Sequence, residues 1–208
     1  MAAGKLTKAA AELLRILGAE RCAVVGGMAV NAHGYVRATR DVDVMANVSL
    51  AEARALLQAH GIEARLFKGD PHEGGFSCLK GVIGVGPRRV DGVPFDILPP
   101  LVPFEPARAI ELTVRGSKLR VVDPDTLIRL KLRAGSVKDL YDVAILAHLH
   151  ADWEEKALDL AAGVGKDVGQ RLIALMSDPR VRSQAKEVAR QDKALRAFAR
   201  RRARNRKT

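Results

Sequence analysis

Aromatic side chains are scarce: Phe, Tyr and Trp make up 4% of 208 residues, with a single tryptophan, while the apolar share is 48%. The core is therefore expected to be built from Leu, Val, Ala and Ile. Trp153 reads as a packing residue at the start of a helix, since one aromatic does not make a base-stacking platform. Cysteine is also rare. Cys22 and Cys78 sit in apolar, strand-like settings without CxxC spacing or a histidine at metal-finger distance, which excludes a zinc finger and leaves two buried thiols. No segment has the apolar length needed to span a bilayer. The opening MAAGKLTKAAAELLRILG has basic residues but no uninterrupted apolar stretch and no cleavage pattern, so a cytoplasmic protein is expected.

Acidic residues are short at one end. The formal charge is +11, and from Arg190 to Thr208 nine Lys or Arg stand against Asp192 alone, giving +8 there and +3 over the other 189 residues. Such a tail attracts phosphates in a nonspecific, salt-sensitive way, or serves as a solvated terminus. The five histidines, His33, His60, His72, His148 and His150, are scattered and receive no role.

What is present is a change of pattern near residue 120. Leu6, Ala10, Leu13, Leu14 and Leu17 share one face of a helix over 5–17 that Gly18 ends. Cys22–Val25 is a short strand, Gly26-Gly27 a turn, and Met28–His33 a helix. Residues 41–45, DVDVM, alternate as a strand with one buried face. Ser49 and Glu52 form a capping box opening a helix that ends before Gly61. Strands are expected at 62–68 and within 76–85. Asp91-Gly92 marks a turn into the strand Val93–Leu98, whose Pro94 points to a sheet edge, or to pairing only beyond the proline. A hairpin spans 111–122 with its turn at Gly116-Ser117. Asp123-Pro124 then caps the first of a series of helices. The division expected is an α/β (α+β) catalytic domain over 1–120, a mixed sheet with flanking helices, and a C-terminal helical domain over 121–208 with its basic tail.

The chemistry is carried by acids. Asp41 and Asp43, two apart in a strand, project from one sheet face, where their mutual repulsion calls for a cation. Carboxylate oxygens suit Mg²⁺. Asp96 lies on the face of its strand opposite Val93, Phe95 and Ile97. If that strand pairs beside 41–45, three carboxylates converge and can hold two metal ions for phosphoryl transfer. Gly26-Gly27, ahead of a helix N-terminus, leaves room for phosphates.

In this order of strand, Gly-Gly, helix and DxD, the stretch VVGGMAVNAHGYVRATRDVDVM resembles the nucleotidyltransferase superfamily typified by DNA polymerase beta. With VVDPDTLIRLKLRAGSVKDLYDVAIL it is similar to the abortive-infection (AbiEii/AbiGii-like) branch, the toxins of type IV toxin–antitoxin pairs. The resemblance implies that Gly26 and Gly27 cradle an NTP, that Asp41 and Asp43 ligate Mg²⁺, and that Asp96 joins the metal site or activates the acceptor hydroxyl. Many members have Ser where Gly27 stands. Arg37, Thr39 and Arg40 are placed to reach the phosphates. Lys131 and Asp142 look like the branch's helical lysine and aspartate near the nucleotide, with Asp139 on the same helix face as Asp142. The implied function is transfer of NMP to an acceptor hydroxyl, with tRNA as the acceptor and an antitoxin as a possible protein partner. An aminoglycoside-type small-molecule transferase and a noncatalytic nucleic-acid-binding module on the same fold remain as alternatives.

Overall fold

The computed structural model describes residues 2–69, 75–85, 91–114 and 117–204. The chain divides into two compact units, one of Met1–Ala32 with Arg37–Leu127 and one of His33–Val36 with Ile128–Thr208. The first unit is a mixed sheet with helices. Its elements are α1 (Ala2–Leu17), β1 (Cys22–Val24), α2 (Gly26–Ala32), β2 (Val42–Ala46), α3 (Leu50–Ala59), β3 (Ala64–Phe67), β4 (Cys78–Val85), β5 (Asp91–Leu98), β6 (Ile110–Val114) and β7 (Ser117–Val121).

The seven strands run β3-β4-β5-β2-β1-β7-β6. The β2–β5 and β1–β7 pairs are parallel and the rest antiparallel. Val42, Val44, Phe95 and Ile97 share one sheet face by alternation and are at most 1% exposed. The apolar stripe of α1 is buried as its spacing requires, and both α1 and α3 pack against the sheet. Burying each such leucine contributes about 2 kcal/mol. Because that face is closed by apolar packing, the acids between the valines must lie on the other.

Several expectations change. Pro94 does not mark an edge, since β5 lies between β4 and β2. It stands opposite Val82 of β4, while the ladder to β2 begins one residue later, at Phe95. The missing N–H therefore leaves the β2 ladder intact. Asp91 and Gly92 are not a turn but the start of β5, paired with Val85 and Gly84. The capping box is half formed: the Ser49 hydroxyl accepts from the Glu52 N–H, but the Glu52 carboxylate takes the Arg21 guanidinium at 2.8 Å. Gly116 lies outside the described residues, as does His72.

The second unit is helical: the end of α4 (Pro124–Ala134), then α5 (Val137–Leu149), α6 (Ala151–Ala162), α7 (Lys166–Ser177) and α8 (Pro179–Arg204). At the start of α4, within the first unit, Asp123 accepts from the Asp125 and Thr126 N–H groups and from the Thr126 hydroxyl at 2.6 Å, with Pro124 following as expected. α5 is the centre of the bundle, packed against α6, α7 and α8. Its residues from Val143 to Ala147 are all buried, so its central stretch has no solvent face. Trp153 is 7% exposed, stacked on His150 and edge-on to His33, and His150 Nε2 is 2.7 Å from the His33 carbonyl. Two of the scattered histidines thus serve packing. The ends of the basic tail fall outside the described residues: 205–208 altogether, and the side chains beyond Lys193.

Cys22 and Cys78 are buried free thiols. Burial pushes the Cys22 thiol up to about 12, and its Sγ donates to the Gly18 carbonyl at 3.1 Å. A raised folded-state value favours the protonated thiol, so this contribution to stability is complete below the ordinary thiol value and is lost as pH rises through about 12. Chemical denaturation midpoints are expected to fall above pH ~9 in the wild type, and to fall less in Cys22→Ala.

Candidate active site

The site is built where β1 turns into α2 and β2 runs alongside. Gly26 follows Val25 with φ +61°, a conformation that glycine adopts without penalty. The Val25 N–H donates to the Asp43 carbonyl at 2.9 Å, which pulls the turn onto β2. A Cβ on Gly26 would overlap the Asp43 carboxylate, lying 2.7 Å from its Cγ. A Cβ on Gly27 would come 2.7 Å from Thr39 Oγ1 and 3.4 Å from an Arg37 guanidinium nitrogen. The two glycines are therefore not a turn ahead of the helix, as expected, but its first residues, pressed against the acid, the hydroxyl and the guanidinium.

The return from α2 to β2 is held by Asn31, a residue without a signal in the sequence pattern. Its side chain donates to the Arg37 carbonyl at 2.9 Å and accepts from the Arg37 N–H at 2.8 Å. This two-way clamp sets where Arg37 and Thr39 emerge. The Thr39 hydroxyl donates to Asp41 Oδ1 at 3.0 Å. Arg40 is exposed.

Asp43 and Asp96 are register partners in the parallel β2–β5 ladder, so their side chains leave the same face as neighbours. Asp41 lies just before β2 and is exposed, turned toward Thr39. Asp96 accepts from Lys80 Nζ at 2.5 Å. Asp43 and Asp96 share a face while Asp41 stands outside the strand, and among the described residues no three His, Cys, Asp or Glu side chains are grouped to hold a metal. The donor set itself, oxygen-only and paired across two strands, fits a hard divalent cation. Lys80 is the second residue that sequence reasoning missed. It sits opposite Asp96 in the β4–β5 ladder, and its ammonium is raised above the ordinary lysine range chiefly by the hydrogen bond to Asp96. Only the strand order identifies it, because nothing in its spacing points to Asp96.

In the helical unit Lys131 makes ion pairs with Asp139 at 2.6 Å and Asp142 at 2.9 Å, and Lys131 and Asp142 are 7% and 1% exposed. Ser136 completes the group by donating to Asp139 at 2.6 Å. This is a partly buried ionic group.

Residues 10–207 match the family described as "Nucleotidyl transferase AbiEii toxin, Type IV TA system". The chain belongs to that family. Membership makes it a nucleotidyltransferase of a type IV toxin–antitoxin family, for which an NTP is the nucleotide substrate. Among curated proteins none matches the sequence. The solved structure of an antigenic nucleotidyltransferase-like protein from Paracoccidioides brasiliensis is similar, at 16% identity and TM-score 0.52, over 90% of this chain and 94% of that one. That likeness establishes the nucleotidyltransferase fold. JHP933 from Helicobacter pylori is 15% identical over 93% of this chain and 97% of its own, with TM-score 0.42. The antibiotic-resistance factor ANT(2'')-Ia is 14% identical over 92% and 100%, with TM-score 0.40. Among the described residues no helix is long and apolar enough to cross a membrane.

For this AbiEii-family chain the glycine at 27 has a steric cause. Thr39 Oγ1 already occupies the space that a serine side chain there would enter. Gly27→Ser is expected to lower transferase activity on the order of a hundredfold by displacing Thr39. Adding Thr39→Ala is expected to restore part of it, measured as kcat/KM of the single and double variants. In the helical unit, Lys131→Met leaves the buried Asp142 without its cation and is expected to cost about 3 kcal/mol in urea unfolding. Asp139→Asn is expected to cost less than about 1 kcal/mol because its carboxylate is closer to solvent.

Proposed function

We propose that the chain transfers NMP from an NTP to a polynucleotide hydroxyl, with tRNA as the acceptor and Mg²⁺ held by Asp41, Asp43 and Asp96. The observation that carries this reading is the pairing of Asp43 with Asp96 directly beside Gly26-Gly27. It puts two carboxylates next to the place where a helix N-terminus receives phosphates. A bound divalent cation supplies charge neutralisation for the triphosphate and the developing negative charge. The site's own residues do the remaining work.

Gly26 and Gly27 let the backbone close onto Asp43 and Thr39, while Arg37, Thr39 and Arg40 offer two cations and a hydroxyl to the phosphates. The acceptor oxygen forms a bond to the α-phosphorus as the bond to the bridging oxygen breaks and pyrophosphate leaves. Asp96 takes the hydroxyl proton. Catalysis of this kind is positioning and electrostatics. Lys131 and Asp142 remain candidates for nucleotide contact through the helical domain over 121–208, and the basic tail for RNA attraction. An antitoxin is the protein partner that fits a type IV toxin. The acceptor preference is argued from charge: the acidic pair is flanked by Lys80, which disfavours a polycationic acceptor such as an aminoglycoside.

Purified protein is expected to move α-³²P label from one NTP to a component of total tRNA in the presence of Mg²⁺. The Asp41→Asn, Asp43→Asn variant is expected to retain below about 1% of that rate. Label on an aminoglycoside in place of RNA would replace the acceptor, and equal label transfer by both proteins would overturn the site.

A further inference from the structure

One row of side chains crosses four strands on the face of the acidic pair. Asp43 of β2 stands beside Asp96 of β5, Asp96 beside Lys80 of β4, and Lys80 beside Arg65 of β3. Partners in a ladder share a face, so the row reads acid, acid, base, base from the nucleotide side toward the sheet edge. Phe67, two residues along β3 from Arg65 and therefore on the same face, is 53% exposed although it is large and apolar. Lys80 Nζ lies 5.3 Å from its ring centroid. Arg65 is exposed as well.

Charge decides what this arm of the sheet can receive. The glycines fix the triphosphate end of the site on the β1–β2 side. A group arriving from the β4–β3 side meets two cations and an open aromatic ring before it reaches Asp96. A cationic sugar is repelled by that surface, and a neutral one makes no use of the charges. A nucleotide at the end of a single strand uses all three features: its phosphodiester pairs with the cations and its base has a face to stack on.

We propose that the β3–β4 arm is the acceptor subsite and takes the terminal nucleotide of a single-stranded RNA, its base on Phe67 and its phosphodiester on Arg65 and Lys80. The assignment rests on the reading of Asp43 and Asp96 as the transferase site, and goes beyond it by saying where the acceptor lies and what holds it. Lys80 then has two partners, Asp96 and the incoming phosphate, and links acceptor arrival to the carboxylate that receives the proton. Because Phe67 and Arg65 are exposed, replacing them leaves the core intact, which far-ultraviolet circular dichroism checks.

The test is equilibrium binding of a fluorescent five-nucleotide single-stranded RNA with a free terminal hydroxyl to the full chain, alongside steady-state transfer to the same RNA. Phe67→Ala is expected to weaken RNA binding about tenfold and to raise KM for RNA while leaving KM for the NTP unchanged. Arg65→Ala is expected to reduce the salt dependence of binding by about one counterion. Wild-type RNA affinity and KM in both variants would overturn the subsite, even where label transfer proceeds. Binding that depends on Phe67 without any transfer by the wild type would instead remove the transferase reading and leave the RNA surface standing.

Discussion

The close approach of Gly26 to Asp43 is the constraint on which the rest of the site depends. A backbone at φ +61° that touches a carboxylate leaves space for no side chain, so position 26 admits only glycine on two independent grounds. With that contact made, α2 begins at the acid itself. Asn31, at the other end of the same short helix, ties down Arg37, and Thr39 and Asp41 follow within reach of each other. One steric fit thus orders the Gly26-Gly27 side of the site before any ligand arrives.

The β4 side of the site is ordered by charge. Asp96 is paired with the half-exposed Lys80 at 2.5 Å, and such a pair in contact with water contributes little to stability. Its value is positional, because it fixes the Asp96 carboxylate on the face that Asp43 shares. The buried Lys131 group in the helical unit is of another kind. There Asp142 is 1% exposed, and breaking the pair leaves a charge in the core. Loss of activity on changing Lys131 therefore carries a folding component that has to be measured separately.

Much of this was legible in the residues. The leucine stripe of α1, the Ser49 and Asp123 caps and the change to helices all follow from local periodicity and turn chemistry, which act over a few residues; the alternation placed Asp43 in its strand, but Asp41 lies just before it. What was not legible depends on strand order. Pro94 left an edge or pairing only beyond it open, and strand order decides: the β2 ladder starts beyond the proline while the β4 ladder runs through it, and Asp91-Gly92 read as a turn because a strand can begin with the same pair. Lys80 and Arg65 carry no local signal. Their meaning comes from a register that brings residues sixteen positions apart, Lys80 and Asp96, onto one face. Gly27 read as a departure from the usual serine until Thr39 was seen to fill the space.

The central claim, that Asp43 and Asp96 form one cation-dependent nucleotide site against Gly26-Gly27, is tested most directly by anomalous diffraction. Crystals would be grown with Mn²⁺ and a non-hydrolysable NTP. The account predicts an anomalous peak bound by both carboxylates, with the triphosphate against the two glycines. A nucleotide bound elsewhere, with no Mn²⁺ at Asp43 and Asp96, would contradict it.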